Sequence, residues 1–281
     1  MVTALAQQQP DLDYHLEGVF PGPYRPDTQF YMDRVSEATI QAARRLRRGR
    51  ILDVACGTGK ETVQLSQKGW EAWGLDASDE MLAIARRDAE QEGANVTFVR
   101  SIAETLPFRD SSFDRLVCKV SLDHFAHPQA FVQEAARVLK PEGRAIIALA
   151  NYESLSCKLG RWLYPLLLRV GYMSRGERPY WVIPPDHTFK GHYHQIIRLG
   201  GRWLKLRKCF GVSLLWLFPG WGSLLDKLPR PLAHSILRTA DSIARLTPSM
   251  SDGVVCTWSP RPEVKRRRAP RRARRQRRRT G

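Results

Sequence analysis

The sequence predicts an α/β fold built on a parallel sheet, and three observations carry that reading. Ile51 to Lys60, ILDVACGTGK, is a branched apolar run that breaks into an acidic, glycine-rich turn, so a buried strand passes through a tight loop into a helix. From there to about residue 150, short apolar runs alternate with segments of helical period. At 281 residues and 43% apolar, the chain can hold one α/β domain of ordinary size with additions.

Taken in order, residues 1–26 are polar, then rich in aromatics and prolines (FPGPYRP), and read as an arm lying on a surface. A helix over Asp27 to Arg47 carries Phe30, Tyr31, Val35, Ala38 and Ile40 on one face and stops at Gly49. After the glycine turn, Thr58 with Glu61 three residues on forms a capping-box pattern, opening a helix over Lys60 to Lys68 that ends at Gly69. A second strand ends at Asp76, and Ser78 caps a helix over Asp79 to Gln91 with apolar residues at Leu82, Ala85 and Ala89. Strands follow at Val96 to Arg100 and Arg115 to Val120; Pro128 opens the next helix. A turn at Pro141 to Gly143 leads into a fifth strand.

The second half is less regular. LSCKLGRWLYPLLLRVGY, from Leu155, is basic and amphipathic: a helix packed on the sheet, or a lid or lipid-facing helix. RPYWVIPPDHTFKGHYHQ is dense in aromatics, prolines and histidines, as irregular pocket walls are. LRKCFGVSLLWLF supplies a sixth strand and GVVCTWSP a seventh, with a helix over Pro231 to Leu246 between them.

The formal charge of +17 is concentrated in residues 261–281, where 12 Lys and Arg face only Glu263; the rest of the chain is at +6. The run RRRAPRRARRQRRR has no apolar periodicity and reads as a disordered tail, either without a specific partner or weakly attracting nucleic acid or an acidic membrane surface. Apolar runs such as SLLWLF are too short to span a bilayer. Five cysteines without a C-x-x-C pair, and no recognisable secretory leader, point to a reducing, cytoplasmic setting.

Three nucleotide-binding patterns compete for the glycine turn. A P-loop needs glycine where Val54 stands and Ser or Thr where Glu61 stands, so that pattern fails. The dinucleotide pattern G-x-G-x-x-G lacks its third glycine, at Thr62, which weakens it and leaves it open. Asp76, 17 residues after Gly59, is an acid at the end of the second strand, suited to accepting hydrogen bonds from a ribose diol. DVACGTG resembles the first motif of the class I S-adenosylmethionine-dependent methyltransferases, D-x-G-x-G-x-G, with Ala55 at the first glycine. SIAETLPFRDSSFD resembles that family's G-D-A-E-x-L-P-F-x-D-x-S-F-D, with Ile102 replacing the aspartate that accepts from adenine, and RVLKPEGRAII resembles its R-V-L-K-P-G-G-x run.

The resemblance implies a Rossmann-like, seven-stranded, mostly parallel sheet with helices on both faces and an antiparallel last strand. It implies S-adenosyl-L-methionine as cofactor, S-adenosyl-L-homocysteine as product, and no metal. Carried over by position, the cofactor residues are Asp53, Ala55, Cys56, Gly57, Gly59, Asp76, Ala77, Met81, Ile102, Ala103, Cys118 and Lys119. Tyr31, Ser121, Tyr180 and Trp181 are expected around the acceptor, with His124 and His187 as candidate bases. The organisation expected is an arm and covering helix (1–48), a cofactor core (49–151), an acceptor-pocket or lid segment (152–202), the end of the sheet (203–260) and the tail (261–281). The function expected is methyl transfer to a small, aromatic or partly apolar acceptor. An RNA methyltransferase using the tail, or a catalytically silent cofactor-binding protein, are the alternatives.

Overall fold

The computed structural model describes residues 24–44, 49–174, 176 and 178–262; the expected N-terminal arm and nearly all of the Arg-rich tail lie outside the described residues. Seven strands, β1 (Arg50–Val54), β2 (Glu71–Asp76), β3 (Val96–Arg100), β4 (Phe113–Lys119), β5 (Leu139–Ala150), β6 (Leu204–Val212) and β7 (Gly253–Pro260), make one sheet in the order β3-β2-β1-β4-β5-β7-β6. β1 pairs in parallel with β2 and β4, β2 with β3, and β4 with β5; β7 runs antiparallel to both its neighbours. The helices are α1 (Pro26–Ala42), α2 (Lys60–Gln67), α3 (Asp79–Gln91), α4 (Pro128–Val138), α5 (Leu155–Arg169), α6 (Tyr193–Arg198), α7 (Trp221–Asp226) and α8 (Arg230–Leu246). None of the described helices is long and apolar enough to cross a membrane.

Strand residues alternate between two buried layers, which is why the central strands read as continuous apolar runs. Leu52, Leu116, Cys118, Ile147 and Trp258 pack on one side under Phe131 and Ala135 of α4. Ile51, Val117, Ile146, Ala148 and Val255 pack on the other under Tyr31, Val35 and Ala38 of α1 and Leu65 of α2. The central strands are thus covered on both faces. Ser78 caps α3 as its sequence predicts, its Oγ accepting the Met81 N–H at 3.3 Å.

Three expectations are corrected. α2 has no capping box: its N-cap is Gly59, at φ 74°, and Glu61 turns inward instead. The Pro141–Gly143 turn interrupts a strand already begun, because Leu139 pairs with Phe113 before the next pairing resumes at Arg144 with Arg115. Proline cannot donate to the ladder, so the extra residues bulge out. The segment after Val212 is not strand: Ser213, Leu215 and Leu217 have φ of 60°, 65° and 59°. Three carboxylates hold that left-handed stretch by its N–H groups. Asp241 accepts from Ser213 at 3.1 Å, Asp252 from Trp216 at 2.9 Å, and Asp27 from Leu217 at 3.3 Å.

Candidate active site

β1, β2 and β4 end at a single cavity of about 500 Å³, at the point where the strand order reverses and ligands of open α/β sheets bind. Asp53, Ala55, Cys56 and Gly57 form its floor, Asp76, Ala77 and Met81 one side, Ile102 and Ala103 another, and Lys119 the end of β4. Twelve of the residues expected from sequence therefore share one wall, the last two being Ser121 and His124. The turn is held by its own charge partner: Asp76 accepts the Gly57 N–H at 2.8 Å through Oδ2 and the Ser78 N–H at 3.0 Å through Oδ1. Gly57 is at φ 53° with open space where a Cβ would stand, so the backbone can be approached closely from the cavity. Ala55 holds φ 55°, a left-handed conformation that costs an L-residue roughly 1–2 kcal/mol.

Below the turn lies a buried polar network that sequence spacing did not disclose. Glu61, 6% exposed, accepts from Ser36 of α1 and from the Lys119 ammonium. Burial opposes ionisation of Glu61, but the Lys119 charge and the hydrogen bonds from Lys119 and Ser36 outweigh it and hold the carboxyl below its usual range. Asp53 fares differently. Its Oδ2 accepts from Thr62 at 2.7 Å, yet burial, reinforced by the negative Glu61, pushes its pKa up to about 7. The two carboxyls at the cavity are thus shifted in opposite directions, Glu61 downward by its partners and Asp53 upward by burial. Glu61 was legible only as a helix cap; its signal was Lys119, a cation ending a buried strand and requiring a partner.

The other end of the cavity is formed after β4. Val120 sits at φ 51°, unfavourable for a β-branched residue, with its N–H held by Ala148 O at 2.9 Å. The single helical turn Leu122–His124 follows and presents His124 to the cavity. His187 lies behind it, the two rings edge to face at 4.9 Å. Thr188 anchors His187 by donating from N and Oγ1 to Asp123 O and from Oγ1 to Phe125 O, at 2.8, 3.0 and 2.5 Å. The His187 Nδ1 lies 3.2 Å from Asp123 Oδ2 without hydrogen-bond alignment, and Asp123 Oδ1 has no partner among the described residues. Burial lowers the His187 pKa, Asp123 pulls against that shift, and His124 adds to it. Asp123, His124 and His187 also bring three potential metal-ligand atoms within 4.8 Å of one another, a grouping invisible as linear spacing.

Six expected site residues do not line the cavity. Cys118 is buried beneath it in the sheet, and Gly59 packs against Phe98 and Ala85, where a Cβ would come within 2.9 and 3.0 Å. Tyr31 is 1% exposed and stacked on Trp216 at 3.9 Å, packed in the core. Tyr180 donates to Ser156 O at 2.6 Å, and the Trp181 ring occupies the space left by Gly160, so both brace α5. His187 stands behind the wall. In exchange, α1 contributes residues such as Gln29, Met32 and Ser36, and Leu75, Ser101, Glu104 and Phe125 are also among the lining.

A doubly wound sheet whose first strand ends in this turn and whose second ends in Asp76 fits the class suggested by the motifs, and residues 52–147 match the family model described as a methyltransferase domain. The core is a class I S-adenosylmethionine-dependent methyltransferase domain. The chain is 39% identical over 99 residues to the uncharacterized methyltransferase YcgJ of Bacillus subtilis, over 35% of this chain and 39% of that one. It is 41% identical over 100 residues to the demethylmenaquinone methyltransferase of Thermus thermophilus, over 35% of this chain and 46% of that one. The chain thus spans less than half the length of these two relatives. The solved PH0226 protein of Pyrococcus horikoshii superposes with a TM-score of 0.55 at 22% identity, over 87% of this chain and 98% of that one, a likeness in fold alone.

Proposed function

We propose that the chain transfers the methyl group of S-adenosylmethionine to a small, aromatic or partly apolar acceptor by in-line displacement, with His124 as proton acceptor. The observation that carries this reading is one cavity with the Gly57–Asp76 turn at one end and His124 at the other. The donor set suits the cofactor. Asp76 offers carboxylate lone pairs to a ribose diol, Leu75, Met81, Ile102 and Ala103 offer apolar contact to a flat base, and Asp53 is a buried carboxyl that a nearby cation would ionise. When bound, the cofactor supplies an electrophilic methyl group on a sulfonium.

The chain's own part is to hold the acceptor in line and keep water away. Such placement supplies roughly 7–11 kcal/mol of barrier reduction, against roughly 3–5 kcal/mol for a general base. Phe125, Val120, Met32 and Tyr24 give the acceptor end its apolar and aromatic character; Tyr180 and Trp181 are not among the lining residues. His124 takes the acceptor proton, and His187 with Asp123 are positioning residues behind it. The Thermus thermophilus relative is named for demethylmenaquinone, and an acceptor of comparable apolar character is within this reading. A screen for labelled methyl incorporation into fractionated metabolites tests it: label in an apolar small molecule supports it, and label only in RNA or in no fraction overturns it.

A further inference from the structure

α5 turns an apolar and basic face to solvent. Lys158, Arg161, Trp162, Pro165, Leu166, Arg169 and Val170 recur at three- and four-residue spacing, lie on one side of the helix and are all exposed. Trp162 is 77% exposed, Leu166 53% and Val170 64%, with Tyr172 at 54% just beyond the helix end. The opposite side is packed: Ser156, Cys157 and Gly160 are buried, and Trp181 lies against Gly160. Scattered exposed apolar residues are ordinary, but an aromatic and aliphatic stripe on one helix face marks a contact surface. Charge selects the partner. The sequence has no Asp or Glu between Glu153 and Glu177, so every charge carried by α5 itself is positive.

We propose that this face docks on an anionic lipid surface. Trp162, Leu166 and Val170 enter the boundary between headgroups and acyl chains, while Lys158, Arg161 and Arg169 keep their stems on the apolar layer and their charges at the phosphates. With 15 residues, α5 lies in the interface and does not span it. Its position ties docking to the cavity: Tyr152, just before α5, sits edge-on to His187 at 6.1 Å, and His187 sits edge-on to cavity-lining His124. The docking itself does not rest on the proposed function.

The test is co-sedimentation of the full-length chain with vesicles of phosphatidylcholine alone and of phosphatidylcholine mixed equally with phosphatidylglycerol. The Trp162→Ser/Leu166→Ser variant keeps every charge, including those of the Arg-rich tail, so it isolates the apolar stripe. Both side chains are exposed and away from the cavity, and an unchanged circular dichroism spectrum and thermal unfolding midpoint certify the fold. The proposal expects binding to the mixed vesicles that weakens about tenfold or more in this variant and also falls in Arg161→Glu/Arg169→Glu. Equal sedimentation of wild type and Trp162→Ser/Leu166→Ser, or no binding by wild type, overturns it. So does a dimer of the wild type that the same variant dissolves, which would give the face to a second copy.

Discussion

Residues 49–150 and residues 151–260 share one sheet but are built on different principles. In the first, strands, turns and caps are set by near neighbours: a glycine turn clasped by Asp76, a serine capping its own helix, apolar runs buried on both faces. In the second, the conformation depends on distant carboxylates. Asp27 reaches Leu217 across 190 residues of sequence, Asp241 both holds the Ser213 N–H and pairs with Arg34 at 3.0 Å, and Asp252 ties Ser156 to Trp216. The half that repeats a local pattern supplies most of the cavity wall. The half assembled from long-range contacts braces the acceptor side and carries the α5 face.

Lys119 and the buried Glu61 form an ion pair inside the first half, and breaking it should have the largest effect on stability. Lys119→Met leaves the Glu61 carboxyl buried and uncompensated and is expected to cost about 3–5 kcal/mol in denaturant unfolding, with Glu61→Gln in the same chain restoring part of it. A variant as stable as wild type would detach the network from the fold. Across the cavity, His124→Ala is expected to lower kcat by roughly 10² to 10⁴ while leaving cofactor affinity intact, measured by initial rates and calorimetry. A loss in both would make His124 part of the cofactor wall.

A smaller, pH-dependent effect sharpens the account of Asp53. Its folded-state pKa of about 7 exceeds its ordinary 3.8, so its contribution to stability is fully present below the lower value and is lost as pH rises toward the upper one. Asp53→Asn removes that slope. Its stability relative to wild type should rise with pH across this window, by about 1.4 kcal/mol per pH unit at most, and then level off. A pH-independent difference would mean that Asp53 is ionised throughout. The smallest expected effect is that of Ala55→Gly, which relieves the left-handed φ of 55° and should stabilise the chain by about 1 kcal/mol in thermal unfolding.

How much could be read from sequence follows the same division. The bounds of α3, β3 and β7 were all legible, because caps, turns and apolar runs are local signals. Twelve candidate site residues line the cavity, most of them placed by the resemblance of short local motifs to the methyltransferase pattern, each lying at or near a strand end or the turn after it. Glu61 looked like a cap because a capping box and a buried ion pair present the same residue at the same spacing. Tyr31, Tyr180 and Trp181 looked like acceptor contacts because an aromatic that stacks in a core and one that faces a ligand cannot be told apart without knowing what lies opposite. For Tyr31 that is Trp216, and for Trp181 it is Gly160. The trio Asp123, His124 and His187 is assembled by Thr188 gripping a backbone more than 60 residues away, which no spacing rule reports.

The central claim is that the turn after β1, clasped by the carboxylate ending β2, receives an adenosyl sulfonium, and calorimetric titration of wild type and Asp76→Ala with S-adenosylmethionine, with NAD as control, addresses it directly. Losing the two hydrogen bonds that the Asp76 carboxylate is proposed to accept from the ribose diol, at about 1.5 kcal/mol each, should weaken binding about 100-fold, with NAD unbound by either protein. Wild type that takes up no S-adenosylmethionine, or an Asp76→Ala variant that binds it equally well, would contradict the account.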